Sequence, residues 1–211
     1  MAKAKSLADQ VYDHIIEKIK LGELAEGEKL DETVLIKEIG TSRTPIREAL
    51  LMLSADRVLE FIPRKGFFVR RHDIKELRQA YSVLACLETF AVRMVIDRLN
   101  DYDYAKMSNL IDLMDIAINL KEYARYVENQ ESFHNYCVEK TENPVLIDAI
   151  ASIKKQYPRQ THFGTNKNQQ YEMLKNSNSG HRNILVAIQE KNVPLLEKLL
   201  SSHWVWDDKT D

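Results

Sequence analysis

The chain has 211 residues, 44 % of them apolar and 29 % charged, the mixture of a globular chain that can bury a core. Six glycines and five prolines are too few for a sandwich or barrel, whose many short strands need turn residues. The formal charge of −2 excludes a globally basic nucleic-acid binder, and no unbroken apolar run approaches the roughly 18 residues of a membrane span.

Met1-Ala2-Lys3-Ala4-Lys5 leads straight into an amphipathic pattern rather than an apolar signal core. Leu7, Val11, Ile15 and Ile19 recur every four residues, one face of a helix, and Gly22 stands where a helix end takes a left-handed residue. After the polar loop Glu23 to Lys29, Asp31 opens a short helix with Val34, Leu35 and Ile39 on one side, and Gly40 stops it. Another helix begins at Thr44 and runs through Leu53. Pro45 suits its first turn, where backbone N–H groups have no intrahelical partner to lose. Helix, tight turn, helix is a helix-turn-helix.

Leu59-Glu60-Phe61-Ile62 and Phe67-Phe68-Val69-Arg70 read as two strands, joined by Pro63-Arg64-Lys65-Gly66. Gly66 is free to take a positive φ. The hairpin is a wing whose tip sets Arg64 and Lys65 beside a glycine, so the backbone can approach a phosphate or a minor groove. Residues 41–75 carry eight Lys/Arg against four acids, a local net of +4 on an acidic chain. Such a stripe either grips phosphate or is a solvated surface.

The wing ends near His72-Asp73, dividing the chain into a winged helix-turn-helix at residues 1–72 and an all-helical region at 73–211. The fold class is therefore mainly α. Helices are expected at about 74–97, 101–119, 122–140, 144–156, 167–175, 180–190 and 193–207. Cys86 and Cys137 lie in apolar helical contexts without CxxC spacing and read as buried free thiols of a reducing, cytoplasmic compartment.

Asp31-Glu32, followed by Ile39-Gly40-Thr41-Ser42-Arg43-Thr44-Pro45-Ile46-Arg47-Glu48-Ala49-Leu50, resembles the GntR family of bacterial regulators. Pro63-Arg64-Lys65-Gly66-Phe67-Phe68-Val69 resembles that family's wing. The second half resembles the FCD effector domain of the FadR subgroup, through Leu87-Glu88, Phe133-His134, Glu142-Asn143-Pro144-Val145-Leu146, His181 with Ala187-Ile188, and His203. The resemblance implies a homodimeric transcriptional regulator and not an enzyme, with repressor the first reading and activator the second, which binds an inverted-repeat operator and answers a small organic effector without a membrane. Ser42, Arg43, Thr44, Arg47, Arg64, Lys65 and Gly66 would be its DNA contacts. Arg43 and Arg47, four apart, share a helix face, and an arginine in the major groove can make two hydrogen bonds to guanine O6 and N7. Thr44 can reach a phosphate or a thymine methyl. Arg47 could instead pair with a nearby acid on a solvated helix.

The FCD resemblance further implies a metal site of one Asp and three His. The histidines fall at His134, His181 and His203, and the Asp position holds Gln130. Three imidazoles with open positions suit zinc or nickel. An amide is a weak ligand without charge, so the site is either weaker or recovers charge from an anionic effector. Leu84 stands where many of the subgroup have an arginine for an organic-acid carboxylate, and Gly180 stands where a Glu is usual. The effector pocket is expected to comprise Leu84, Glu88, Gln130, His134, His181 and His203. Either the effector is less acidic, or its anion is held by the metal or by another cation such as His162 or Arg159, two residues that read first as surface loop. The alternatives are a metal-dependent hydrolase using the three-histidine centre, although no HExxH, nucleophile elbow or phosphate loop occurs, and a structural dimer that uses its winged domain for protein contacts.

Overall fold

The computed structural model of the chain describes residues 5–158 and 167–204, with the backbone alone at 167 and 168. Two compact units emerge, Met1–Asp73 with Lys154–Gln160, and Ile74–Ile153 with Thr161–Asp211.

The first unit contains α1 (Leu7–Lys20), α2 (Glu32–Ile39), α3 (Arg43–Ala55), β1 (Leu59–Ile62) and β2 (Gly66–Val69). Ser6 and Asp9 form a reciprocal capping box that starts α1, and the Asp31 carboxylate accepts from the Thr33 and Val34 N–H groups to start α2. Gly40 ends α2 in the left-handed region at φ 70°. Val11, Ile15 and Ile19 from α1 meet Leu35 from α2 and Ile46, Ala49, Leu50 and Leu53 from α3 in one core. One residue of each apolar stripe expected of α1 and α2 lies outside the core. Leu7 and Val34 are exposed, because both lie in a first turn whose inner face is set by the following residues.

β1 and β2 pair antiparallel, Leu59 opposite Val69 and Ile62 opposite Gly66. Their turn is type II: the Lys65 N–H donates to Ile62 O at 3.0 Å, Pro63 sits at the second position and Arg64 takes φ 66°. Gly66 follows at φ 104°, so the positive φ expected of the glycine is preceded by one on the arginine. The stretch 27–30 lies along the outer edge of β2, with Leu30 N–H donating to Phe67 O and Val69 N–H to Glu28 O.

The second unit contains α4 (Ile74–Val95, with a 3-10 turn Ile96–Arg98), α5 (Asp101–Leu120), α6 (Tyr123–Lys140), α7 (Pro144–Gln156) as far as Ile153, α8 (Lys167–Gln189) and α9 (Val193–Trp204). By length and composition Ile74–Arg98 could cross a membrane, yet Leu84, Ala85, Ala91, Val92 and Val95 are buried in this unit's core. Where the sequence suggested a break between 175 and 180, α8 is one continuous helix. The Asn178 side chain explains it, donating to Ile111 O at 3.0 Å and to Asp115 at 2.6 Å. A buried amide satisfied by a neighbouring helix outweighs the turn propensity of the Ser/Asn run. Cys137 is buried, and burial pushes its thiol up to about 12. Cys86 is exposed, contrary to expectation, because it lies on the outward face of α4 with Val83 and Phe90.

Candidate DNA-reading surface and histidine cluster

Burying Ile46, Ala49, Leu50 and Leu53 turns the opposite face of α3 outward. That face carries Arg43, Thr44 and Arg47, with Ser42 at the N-cap position, all exposed. Glu32, at the start of α2, stands between the two arginines, 3.6 Å from Arg43 Nε and 3.7 Å from Arg47 Nε. The acid foreseen for Arg47 therefore exists, but it holds the pair loosely, beyond hydrogen-bond length, and both guanidinium groups stay in solvent.

Arg64 and Lys65 are exposed at the wing tip. Lys29 joins them: it bridges to Phe68, and its Cε lies 3.6 Å from where a Cβ on Gly66 would stand. Sequence reasoning missed Lys29, since no linear signal ties a loop before α2 to a hairpin more than thirty residues on.

In the second unit α6, α8 and α9 each deliver one histidine. His134 Nε2 lies 3.2 Å from His181 Nε2 and 3.2 Å from His203 Nε2, and the candidate ligand atoms all fall within 4.8 Å of one another. His134 and His181 are buried, and His203 is half-buried. Their outer nitrogens settle the inner ones. His134 Nδ1 meets the Glu88 carboxylate at 3.0 Å. His181 Nδ1 meets the Asn178 oxygen at 3.1 Å, with the Asn178 NH2 already committed to Ile111 and Asp115. Each partner accepts, which assigns the proton of His134 and of His181 to Nδ1 and turns a bare Nε2 inward on both.

Two lone pairs facing each other at 3.2 Å repel unless a cation or proton lies between them. The donor set thus fits a divalent transition metal: imidazole nitrogens turned inward, two of them with their outer N–H groups anchored by Glu88 and Asn178. Gly180, on the turn of α8 that bears His181, makes the approach of His203 possible. A Cβ there would lie 3.1 Å from His203 Nδ1.

Gln130 is half-buried one turn before His134, and Leu84 is fully buried in the core. A cavity beside the cluster is lined by Glu88, Val92, Phe133, His134, Cys137 and Leu200 among others, and neither Gln130 nor Leu84 lines it. Arg159 and His162 lie outside the described residues. Glu88 was expected in the pocket, but not as the partner of His134; only the folded helices bring them together.

Residues 7–69 match the model of the gntR family of bacterial regulatory proteins, and residues 79–205 match that of the FCD domain. The chain is 29 % identical over 145 residues to the uncharacterized HTH-type transcriptional regulator YdhC of Bacillus subtilis, over 68 % of this chain and 65 % of that protein. It is 31 % identical over 127 residues to the Nta operon transcriptional regulator of Aminobacter aminovorans, over 60 % of each. The chain thus spans less than two thirds of the length of these two relatives. Among solved structures, Escherichia coli McbR/YncC shares the fold with a TM-score of 0.78 at 22 % identity, covering 95 % of this chain and 94 % of that one. With one family model on the helix-turn-helix and wing and the other spanning more than half of the sequence, the chain belongs to the gntR family of bacterial regulatory proteins and carries an FCD domain.

Proposed function

We propose that the chain is a cytoplasmic DNA-binding transcriptional regulator, a repressor, that grips an inverted-repeat operator as a homodimer. Its operator affinity is set by a small organic ligand at the histidine cluster. The observation that carries the DNA reading is the outward face of α3, where Arg43, Thr44 and Arg47 are exposed while the opposite face is core. One recognition helix reads too few base pairs for useful specificity, which is why two copies are invoked. Ser42, Arg43, Thr44 and Arg47 read or frame base edges, and Arg64 and Lys65, joined by Lys29, hold phosphate around Gly66.

His134, His181 and His203 would hold a zinc or nickel ion through Nε2, and the bound ion supplies a Lewis-acidic position that draws an anionic or polar ligand group. Glu88 and Asn178 keep the Nδ1 protons in place. Gln130 is a candidate neighbour of that ligand. Leu84 contributes packing, so no cation from α4 meets an effector at that position. Hydrolysis at the same centre would need a general acid or base beside the metal, and Glu88 Oε2 is already committed to His134 and Trp204. The comparisons give the hydrolytic alternative no support.

The test is selection of duplexes from a random library by the full chain, followed by affinity measurements on the enriched site. Enrichment of an inverted repeat, bound by two chains, is the expected result. A library that returns no common sequence would overturn the reading.

A further inference from the structure

Glu88 is 3 % exposed, on the inner face of α4. Its Oε2 accepts two hydrogen bonds, one from His134 Nδ1 at 3.0 Å and one from Trp204 Nε1 at 2.9 Å. Trp204 follows His203 directly, so the last turn of α9 sends one side chain to the imidazole cluster and the next to the carboxylate behind it. An indole N–H can only donate, so Trp204 fixes Oε2 as an acceptor and with it the rotamer of Glu88. The indole is itself wedged between rings, 4.8 Å from His134 and 5.8 Å from Tyr81.

We propose that Glu88, clamped by Trp204, is the positioning residue of the cluster, passing negative charge through His134 to a bound divalent cation. This rests on the reading that the cluster takes a metal. Three neutral imidazoles bring no charge of their own to offset a dication at a largely buried site, which is costly. Gln130, one turn before His134, brings only an amide, and the partner behind His181 is also an amide, Asn178. The carboxylate of Glu88 is a charged group hydrogen-bonded to a ligand imidazole. By holding the Nδ1 proton it raises the basicity of Nε2 and fixes the ring's aim. Because α9 carries both His203 and the clamp, a change in cluster occupancy also loads the hold of α9 on α4. That helix begins at Ile74, five residues after β2 ends.

The experiment uses the full chain and zinc(II), with affinity read by competition against a chromogenic chelator. Cobalt(II) absorption reports the geometry, and nitrogen-15 spectra report the imidazole tautomers of the metal-free protein. Glu88→Gln should bind zinc on the order of 10- to 100-fold more weakly. Trp204→Phe, which keeps the carboxylate but removes the indole clamp, should lose less, about threefold to tenfold. The Nδ1–H tautomer of His134 should dominate in wild type and lose that dominance in Glu88→Gln, and the cobalt bands should shift in both variants. If wild type takes up neither ion, the metal reading itself falls. If wild type binds and His181→Ala does not, while Glu88→Gln matches wild type, the role of Glu88 alone is refuted. Should Glu88→Gln fail to fold, Trp204→Phe decides, and unchanged zinc affinity there overturns the proposal.

Discussion

Gly180→Ala separates the stability of the helical unit from the chemistry of the cluster. Gly180 is interior to α8, where a glycine costs roughly 0.5–1 kcal/mol relative to alanine. Its φ is not in the positive range, so the backbone accepts an alanine, and the new methyl would lie 3.1 Å from His203 Nδ1. Ordinary contact needs about 3.5 Å or more, so the ring must retreat by a few tenths of an ångström. It can do so, because His203 is half-buried in the last turn of α9. Metal–ligand distances tolerate only about 0.2 Å. The metal-free variant should therefore melt about 2–4 °C higher, as a gain near 1 kcal/mol does in a chain of this size, while zinc affinity falls about tenfold or more. Thermal unfolding with chelator present and a zinc competition titration read the two effects. A variant that binds zinc as wild type does, or whose metal-free form is destabilised by about 1 kcal/mol, would refute the reasoning.

On the DNA side, Arg47→Ala should cost about 1–3 kcal/mol on the selected operator and relax preference at one base of each half-site. Lys29→Ala, like Lys65→Ala, should weaken all duplexes alike and flatten the salt dependence by about one unit of slope, as read from binding isotherms at several salt concentrations. Gln130→Asp should tighten zinc binding by about tenfold if position 130 faces the ion, and an unchanged chelator titration removes Gln130 from the site. Burial opposes ionisation of Asp103, but hydrogen bonds from Lys140, Tyr136 and the Asn100 backbone prevail and hold its carboxyl at about 2. Because that value lies below the unfolded one, its contribution is full at neutral pH and is lost as pH falls from about 4 through 2. Acid unfolding curves of Asp103→Asn should therefore be flatter than wild type in that window.

The local parts of the molecule were readable because their determinants are local. Pro45, Gly40 and the Pro63–Gly66 turn act through their own backbone angles, and the period of Val11, Ile15 and Ile19 states which face is buried. What escaped depends on partners distant in sequence. Asn178 reads as a turn residue until Ile111 O is beside it, which is why the sequence reads α8 as two helices. Lys29 reads as loop until it pairs with β2. The three histidines were legible only through the family's order of motifs, since each alone is an ordinary residue. Glu88 and Trp204, separated by 116 positions, meet through packing that no spacing encodes. Leu84→Arg would bury a cation in a full core rather than furnish an effector ligand, and the expected result is a destabilised protein.

In the proposed function, the histidine cluster sets the affinity of the α3 surface for DNA. The measurement is the dissociation constant of the full chain for its selected inverted repeat, at fixed salt, with the protein first stripped by chelator and then loaded with one equivalent of zinc or nickel. A ligand moves this equilibrium only by binding the competent and incompetent states unequally. A coupling of about 1–3 kcal/mol predicts a shift of roughly 5- to 150-fold that His181→Ala abolishes. Equal affinities for stripped and loaded protein, at full metal occupancy, would contradict the account.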